Sequence, residues 1–430
     1  MKKRVLIVGG GGREHALAWR LWNDQEQPEL FCAPGNAGTA AIATNLSIGA
    51  EDVEALTSWA EAHRPDLTVV GPEAPLCAGL TDRLEALGLL VFGPNKAAAQ
   101  LEGSKAFSKD VMFAAGVPTA ASQDFTELEP ALAYVREQGA PIVVKADGLA
   151  AGKGVLICMT DAEAEDAVRQ VLEQRDFGDA GTRVVIEEFL EGEEASILAL
   201  VDGERVVMLA SSQDHKRALD GDGGLNTGGM GAYSPAPVVT DALWPVIRER
   251  VFEPVLQELR SRGIVYKGVL YGGLMMTDDG PKVLEFNCRF GDPETQVVLP
   301  RLATDLYPAL AACGNGTLDE SLVGWRDDPC VCVVMAAGGY PGSYAKGTPI
   351  SGLEKANALE GVEVFHAGTA LDGDRTVTSG GRVLGVTAFG KDVRAAVARC
   401  YEAVALIQFE GAHYRTDIAN RALARKTEDA

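Results

Sequence analysis

One stretch near residue 290 places three polar side chains where they suit phosphate chemistry. It reads KVLEFNCRFGDPET from Lys282. If its first half is a strand, Glu285, Asn287 and Arg289 share one face, because side chains alternate along a strand. The opposite face then carries apolar residues, namely Leu284, Phe286 and Cys288. Carboxylate and amide oxygens suit Mg²⁺ bridging nucleotide phosphates, and an arginine beside them can bind a phosphoryl group or a carboxylate. Three such groups on one buried face are costly without a ligand, which favours a binding site.

A second candidate is the segment APIVVKADGLAAGKGV, in which an apolar run ends at Lys145 and a glycine-rich turn follows. The spacing excludes a Walker A motif, because three residues rather than four separate Gly148 from Gly152. Lys153 is also followed by Gly154 rather than by Ser or Thr. A lysine at a strand end before a flexible loop suits a lid over the phosphates of ATP. A plain flexible hairpin is the alternative.

The acidic segment VIEEFLEGEE, residues 185–194, follows the next strand-like run. Taken alone, it fits a solvated acidic turn as well as a nucleotide contact.

The first glycine cluster, residues 9–12, lies between an apolar run and a helical pattern. Glycines there let backbone N–H groups approach an anion at the helix N-terminus, which favours a phosphate site. A dinucleotide site is disfavoured, because the G-x-G-x-x-G frame from Gly9 puts Glu14 at the third glycine. The second strand also leads into Pro34-Gly35-Asn36 without the acid that binds a ribose. A tight turn with no ligand is the remaining alternative.

The elements around these motifs predict an α/β protein of about three domains, given 430 residues. Residues 1–102 alternate apolar runs with helical patterns, which is typical of a parallel sheet covered on both faces. Residues 103–326 hold the second glycine cluster, longer strands and a polar loop from Ser211 to Pro237. Residues 327–430 are rich in turns and end in helical patterns over 391–408 and 415–425.

Composition excludes several classes of function. Net charge is −22, which disfavours nucleic-acid binding because no basic run offsets it. No apolar stretch reaches 18 residues, so we expect no membrane span. The basic N-terminus is followed by only four apolar residues before the glycines, which favours a buried strand over a signal peptide. None of the eight cysteines forms a C-x-x-C pair, which fits small core residues in a reducing cytosol, so we expect a cytoplasmic protein.

These motifs together resemble the ATP-grasp superfamily, and more narrowly the phosphoribosylamine–glycine ligases (glycinamide ribonucleotide synthetases). The resemblance covers nearly the whole chain. Its narrow signals are GGREHA from Gly11, APGNAGT from Ala33, LEGSK from Leu101, SQDHKR from Ser212, NTGGMG from Asn226 and RFGDPETQ from Arg289. Two positions depart from the family pattern: Gly10 replaces the usual Asn or Ser, and Leu225 the usual Pro.

The resemblance implies an N-terminal parallel-sheet domain, an ATP-grasp domain with a lid at about 120–190 and a central α+β part, and a small C-terminal domain. It also implies residue roles. Contacts to ATP would come from Lys105, Lys145, Gly152, Lys153, Gly154, Glu187, Glu188, Phe189, Leu190 and Glu194. Glu285 and Asn287 would hold Mg²⁺ or Mn²⁺. Phosphoribosylamine would contact Gly10, Gly11, Gly12, Arg13, Asn36, Gly38 and Glu73. The catalytic candidates are Asp214, Lys216, Arg289 and Asp292.

The implied reaction joins glycine to 5-phosphoribosylamine, with ATP converted to ADP and phosphate through glycyl phosphate, in de novo purine biosynthesis. The implied partners are these small molecules, and we expect a monomer. Three rival functions are weighed against it. A dinucleotide-dependent oxidoreductase is disfavoured by the missing acid after the second strand. Another ATP-grasp ligase would take a different acceptor, and a non-catalytic nucleotide-binding module would leave the face of Glu285 idle.

Overall fold

The computed structural model describes residues 2–149, 154–176 and 178–425. Its N-terminal part is a five-stranded parallel sheet. In spatial order the strands are Thr44–Asn45, Glu29–Pro34, Arg4–Gly9, Leu67–Val70 and Val91–Phe92. The helices are Gly12–Trp22, Val53–His63, Glu73–Cys77, Leu80–Ala86, Gln100–Gly103 and Lys105–Ala114. The strand order reverses beside the first strand, and ligands of parallel sheets bind at that point, outside the carboxyl ends of the strands.

The lid sheet is a four-stranded antiparallel sheet with its own core. In spatial order its strands are Ser122–Phe125, Val184–Glu188, Ile142–Ala146 and Val155–Cys158. Two helices, Leu128–Gln138 and Asp161–Leu172, supply the other half of that core. The second begins at a capping box in which Thr160 and Glu163 satisfy each other's backbone N–H groups. Because its buried residues form a cluster separate from the other cores, the lid is a structural unit of its own.

The central sheet is antiparallel and carries the segment that ends in Asn287. In spatial order its strands are Val206–Met208, Glu193–Asp202, Lys267–Thr277 and Gly280–Asn287. Its helices are Leu243–Ile247, Glu253–Ser261, Thr295–Val298 and Leu306–Asn315. One hydrophobic cluster joins this sheet to the N-terminal sheet, with Leu198, Val269 and Leu310 packed beside Ile7 and Leu67. The two sheets are therefore fixed relative to each other.

The C-terminal sheet takes two of its five strands from the segment predicted as a polar loop. In spatial order its strands are Gln213–Asp214, Gly231–Ser234, Cys330–Ala336, Arg382–Phe389 and Val362–His366. This part also contains two hairpins, which are Arg217–Leu219 with Gly223–Asn226 and Thr369–Asp372 with Arg375–Thr378. Its helices are Leu353–Asn357 and Val393–Val404. The loop prediction over 211–237 was wrong here, because strands of two and four residues are too short to show an alternating pattern.

Two further local predictions need correction. The helix predicted over 415–425 is only Asn420–Ala424, because Arg415 and Asp417 are tied into an ion-pair cluster and Ala419 has a φ of 66°. Leu284 was expected to face away from Glu285, but a register shift in the last central strand pairs Val283 and Glu285 with consecutive residues of its neighbour. Leu284 therefore lies on the same side as Glu285 and lines the cavity there.

Among the described residues, no helix is both long and apolar enough to cross a membrane.

A buried arginine, Arg415, ties the C-terminal segment to the hairpin near residue 220. Its side chain is 0% exposed. Its Nε and Nη2 each lie 2.7 Å from an oxygen of Asp417, and its Nη1 lies 2.9 Å from Asp222 Oδ1. Nη1 also donates to the carbonyl of Arg217 at 3.2 Å. Breaking a buried pair leaves uncompensated charge, so this cluster orders both segments.

We expect Arg415→Met to destabilise the protein by about 2 kcal/mol, less than for a fully buried pair because Asp222 is partly exposed. The measurement is the midpoint of thermal unfolding. Arg375→Met is the control. The Arg375 side chain is 67% exposed, so its ion pair with Asp372 should contribute almost nothing to the stability of the fold. Equal midpoints for the two variants would contradict a role for the Arg415 cluster.

Candidate active site

A cavity of about 600 Å³ opens where the lid, the two joined sheets and the C-terminal segment meet. Sixteen of the residues singled out from the sequence line it. They are Arg13, Glu73, Lys105, Lys145, Gly154, Glu187, Glu188, Phe189, Leu190, Glu194, Asp214, Lys216, Glu285, Asn287, Arg289 and Asp292. Gly152 and Lys153 lie outside the described residues. Segments far apart in the chain thus converge on one space.

Glu285 lies among positive charges. Burial alone would raise its pKa, but nearby cations hold that pKa below its ordinary value. These cations are Lys216, Lys145, Lys105 and Arg289. Glu285 is therefore an ionised carboxylate, and Asn287 at the strand end adds an amide oxygen 3.3 Å from the Arg289 guanidinium.

This donor set fits Mg²⁺. No group of three or more His, Cys, Asp or Glu side chains able to hold a metal is found among the described residues. Mg²⁺ needs no such cage, because it is commonly bound by one or two protein oxygens together with substrate phosphates. Glu285 and Asn287 supply those oxygens, and the lysines around them suit the phosphates.

Lys145 is held by a buried carboxylate at the edge of the cavity. Its Nζ lies 2.9 Å from Glu187 Oε1 and donates to the carbonyl of Leu284 at 3.1 Å. The second oxygen of Glu187 lies 3.1 Å from Lys109 Nζ, which also donates to Thr119 Oγ1 at 2.8 Å. Glu187 is 3% exposed, so its buried side chain orients two lysines at once.

Two further lysines, Lys105 and Lys216, add positive charge to the cavity wall. Lys105 Nζ donates to the carbonyl of Gly148 at 3.0 Å, which brings the start of the glycine-rich turn to the helix that begins at Lys105. Burial lowers the pKa of Lys105. Lys216 Nζ lies 2.7 Å from Glu194 Oε2. Burial alone would lower the pKa of Lys216, but Glu194 and Asp214 raise it well above its ordinary value.

Asp214 is the one carboxyl of the predicted catalytic set whose charge is disfavoured. Burial raises its pKa to about 7, although Lys216 opposes the shift and Glu294 adds to it. Glu294 is itself buried, and its Oε1 accepts from Ser196 Oγ and Tyr271 Oη, both at 3.0 Å. Asp214 is therefore suited to hold or accept a proton near neutral pH.

Arg289 and Asp292 lie where the N-terminal and C-terminal parts meet. Arg289 Nε is 3.6 Å from Glu73 Oε2, so a carboxylate of the N-terminal domain faces it. The Oδ2 of Asp292 is 3.2 Å from Arg382 Nη2, and Arg382 also donates to the Asp292 carbonyl at 2.6 Å. Arg13 reaches across with a hydrogen bond to the carbonyl of Phe290 at 3.1 Å.

The first glycine turn packs more closely than a ligand cradle requires. The Gly11 N–H already donates to Glu14 Oε2 at 2.6 Å. A Cβ on Gly10 would lie 2.5 Å from the Gly35 carbonyl oxygen, so this geometry needs glycine where the family has Asn or Ser. The Asn36 amide donates to the carbonyls of Gly10 and His366, and its Oδ1 accepts from Gly38 N–H. Five residues predicted as ligands are thus not among those that line the cavity, and their roles stay predictions: Gly10, Gly11, Gly12, Asn36 and Gly38.

The other departure from the family pattern lies at the surface. Leu225 is 68% exposed and lies in the hairpin that Arg415 holds.

The cavity residues to which sequence reasoning gave no role include Glu102, Lys109, Tyr271, Glu294 and Arg382. Glu102 lies in the motif LEGSK and Glu294 in the motif RFGDPETQ, both of which were singled out for other reasons. Lys109 lies one helical turn after Lys105, outside any motif. Tyr271 and Arg382 lie in strands without a distinctive motif, and only the fold brings them to the cavity.

Family models match the chain in three consecutive blocks. Residues 3–102 match the N domain of phosphoribosylglycinamide synthetase, residues 103–295 its ATP-grasp (A) domain, and residues 330–421 its C domain. Together the three blocks cover most of the chain in the order of that family.

Curated relatives match over their full length. The phosphoribosylamine–glycine ligase of Pseudomonas syringae pv. tomato is 55% identical over 425 residues, covering 98% of each chain. Among solved structures, the phosphoribosylamine–glycine ligase of Thermotoga maritima has a TM-score of 0.85 at 35% identity, covering 96% of this chain and 99% of that one.

A more distant match shows the fold alone. The biotin carboxylase domain of Hydrogenobacter thermophilus 2-oxoglutarate carboxylase, crystallised with MgADP, has a TM-score of 0.71 at 18% identity, covering 96% of this chain and 92% of that one. The predicted fold class, a parallel-sheet domain followed by an ATP-grasp domain and a C-terminal domain, is confirmed. With all three domain models matched in order and a full-length relative 55% identical, the chain belongs to the phosphoribosylglycinamide synthetase family.

Proposed function

We propose that the chain joins glycine to 5-phosphoribosylamine, forming glycinamide ribonucleotide, ADP and phosphate, in de novo purine biosynthesis. The family and the full-length relatives support this reaction. The observation that carries it is the ionised Glu285 set among Lys105, Lys145, Lys216 and Arg289 in one cavity. Such a site balances the charge of a triphosphate and a carboxylate together.

ATP would lie between the lid and the central sheet. The backbone of 187–190 (Glu187, Glu188, Phe189 and Leu190) would face adenine, and Glu194 the ribose. Lys105 and Lys145 would contact the phosphates, and the turn of Gly152, Lys153 and Gly154 would cover them. Glu285 and Asn287 would hold Mg²⁺, or Mn²⁺, against the phosphates, where the metal neutralises charge.

The reaction then needs two displacements. A carboxylate oxygen of glycine attacks the γ-phosphorus, the bond to the β-phosphate oxygen breaks, and glycyl phosphate and ADP form. The amine of phosphoribosylamine attacks the acyl carbon, phosphate leaves, and the amine loses a proton. Positioning and charge neutralisation dominate such transfers. Arg289 and Lys216 would bind the carboxylate and the acyl phosphate, and Asp214, with its raised pKa, is suited to receive the proton.

Phosphoribosylamine would enter from the N-terminal domain. Arg13 and Glu73 line the cavity there, and Asp292 lies beside them. Burial alone would raise the pKa of Asp292, but Arg382 and Arg13 hold it below its ordinary value, so it is a charged acceptor for ribose hydroxyls or an amine. Gly10, Gly11, Gly12, Asn36 and Gly38 would shape this end. The proposed setting is a monomer in the cytoplasm with small molecules as its partners.

The first test is ADP release by the purified protein with Mg·ATP. We expect ADP formation that requires both glycine and freshly made phosphoribosylamine, because the acyl phosphate has no acceptor without the amine. Bicarbonate or another amino acid in place of glycine is the control for a different ATP-grasp ligase. ADP release that ignores glycine would rule the proposal out.

Glu285→Gln tests the metal site. We expect at least a tenfold loss of turnover at low Mg²⁺, partly recovered as Mg²⁺ is raised, because the variant keeps the shape but loses the charge that binds the ion. Turnover is measured across a Mg²⁺ titration. Glu320→Gln, an exposed carboxylate paired with Arg248, is the matched control and should behave as wild type. A wild-type Mg²⁺ dependence in Glu285→Gln would remove this residue from the site.

A further inference from the structure

Glu102 is a buried carboxylate on the cavity wall to which the proposed mechanism gives no task. It lies in the short helix Gln100–Gly103, at the junction between the N-terminal domain and the ATP-grasp domain. Its side chain is 8% exposed. A carboxylate this far from water needs partners that compensate its lost hydration.

The two oxygens of Glu102 hold two different parts of the segment that ends the last central strand. Oε1 lies 3.0 Å from Arg289 Nη2, and Oε2 accepts the backbone N–H of Cys288 at 2.7 Å. Cys288 follows Asn287, a proposed metal ligand, directly in the chain. The Glu102 side chain therefore fixes both the backbone just after Asn287 and the guanidinium of Arg289. The contact spans 186 residues of sequence.

The other contacts of Arg289 do not fix its direction as firmly. Glu73 Oε2 is 3.6 Å from Nε, beyond hydrogen-bond length, and Asn287 Oδ1 is 3.3 Å from Nη2. Arg289 Nε is buried without a hydrogen bond. Glu102 therefore makes the short ionic contact of this guanidinium.

The charges of the pair depend on each other. Burial raises the pKa of Glu102 to about 7, although the charge of Arg289 opposes that shift. Burial alone would lower the pKa of Arg289, but Glu102 and Glu73 raise it. Removing Glu102 leaves Arg289 with only the longer ionic contact to Glu73, and the loss of a close counter-charge at a buried site is costly.

We propose that Glu102 is a positioning residue for the ligation, holding the Arg289 guanidinium in the direction that meets the glycine carboxylate and the acyl phosphate. The proposal rests on the proposed function, since Arg289 acquires that task from it. Glu102 itself acts through Arg289 and not on the substrates.

The test is Glu102→Gln, which keeps an oxygen for the Cys288 N–H but removes the charge that faces Arg289. We expect kcat to fall roughly 10- to 100-fold, the range for a lost charge-assisted hydrogen bond, while the KM for ATP stays within about twofold. Glu102→Asp retains the charge on a shorter side chain and should lose less. Glu54→Gln is the matched control, because Glu54 also pairs with an arginine, Arg83, but is 77% exposed.

A double-mutant cycle separates positioning from a general structural role. If Glu102 acts through Arg289, then Glu102→Gln should cost less than about threefold in an Arg289→Lys background. Fully additive losses, or an equal rise in the KM for ATP, would overturn the proposal.

A crystal structure of Glu102→Gln gives a readout that does not depend on turnover. We expect the Arg289 guanidinium to be displaced from its wild-type direction with the surrounding backbone unchanged. An unmoved guanidinium would overturn the proposal. Absence of glycine-dependent turnover in the wild type would instead count against the proposed function, and the comparison of the two crystal structures would still decide the role of Glu102.

Discussion

The site depends on keeping several buried cations close together before any ligand neutralises them. Like charges at short range repel strongly where water is excluded. The structure meets this constraint by placing a carboxylate beside most of these cations. Lys145 shares Glu187 with Lys109, Lys216 lies beside Glu194, Arg382 beside Asp292 and Arg289 beside Glu102. In a chain of net charge −22, the acidic side chains at the site thus organise positive charge and do not simply repel phosphates.

The two residues of each ion pair lie in different segments or domains, so the fold brings them together. Lys145 and Glu187 come from adjacent strands of the lid sheet. Glu102 reaches Arg289 from the N-terminal domain, and Arg382 reaches Asp292 from the C-terminal sheet. Since one hydrophobic cluster joins the N-terminal and central sheets while the lid has a separate core, the cavity wall formed by these two sheets is held firmly and the lid is the more independent part.

Much of this could be predicted from the sequence, because local chemistry is visible in short motifs. The alternation of apolar runs with helical patterns predicted the parallel N-terminal sheet, and the alternation after Lys282 predicted that Glu285 and Asn287 share one face. Other features could not be predicted, for physical reasons. A one-residue register shift turned Leu284 to the cavity side, which no periodicity reveals. Arg382 and Tyr271 lie in ordinary strands, so only tertiary packing assigns them to the site.

The C-terminal sheet has a consequence for how the chain can be divided. Its order places Gly231–Ser234 between Gln213–Asp214 and Cys330–Ala336, so a cut near residue 326 would separate hydrogen-bonded neighbours. The severed fragment would expose the backbone groups and the apolar side chains of Cys330–Ala336 along an open edge, a surface prone to aggregation. The family models for the ATP-grasp domain and the C domain divide between residues 295 and 330. The polypeptide cannot be cut there into two pieces that fold independently.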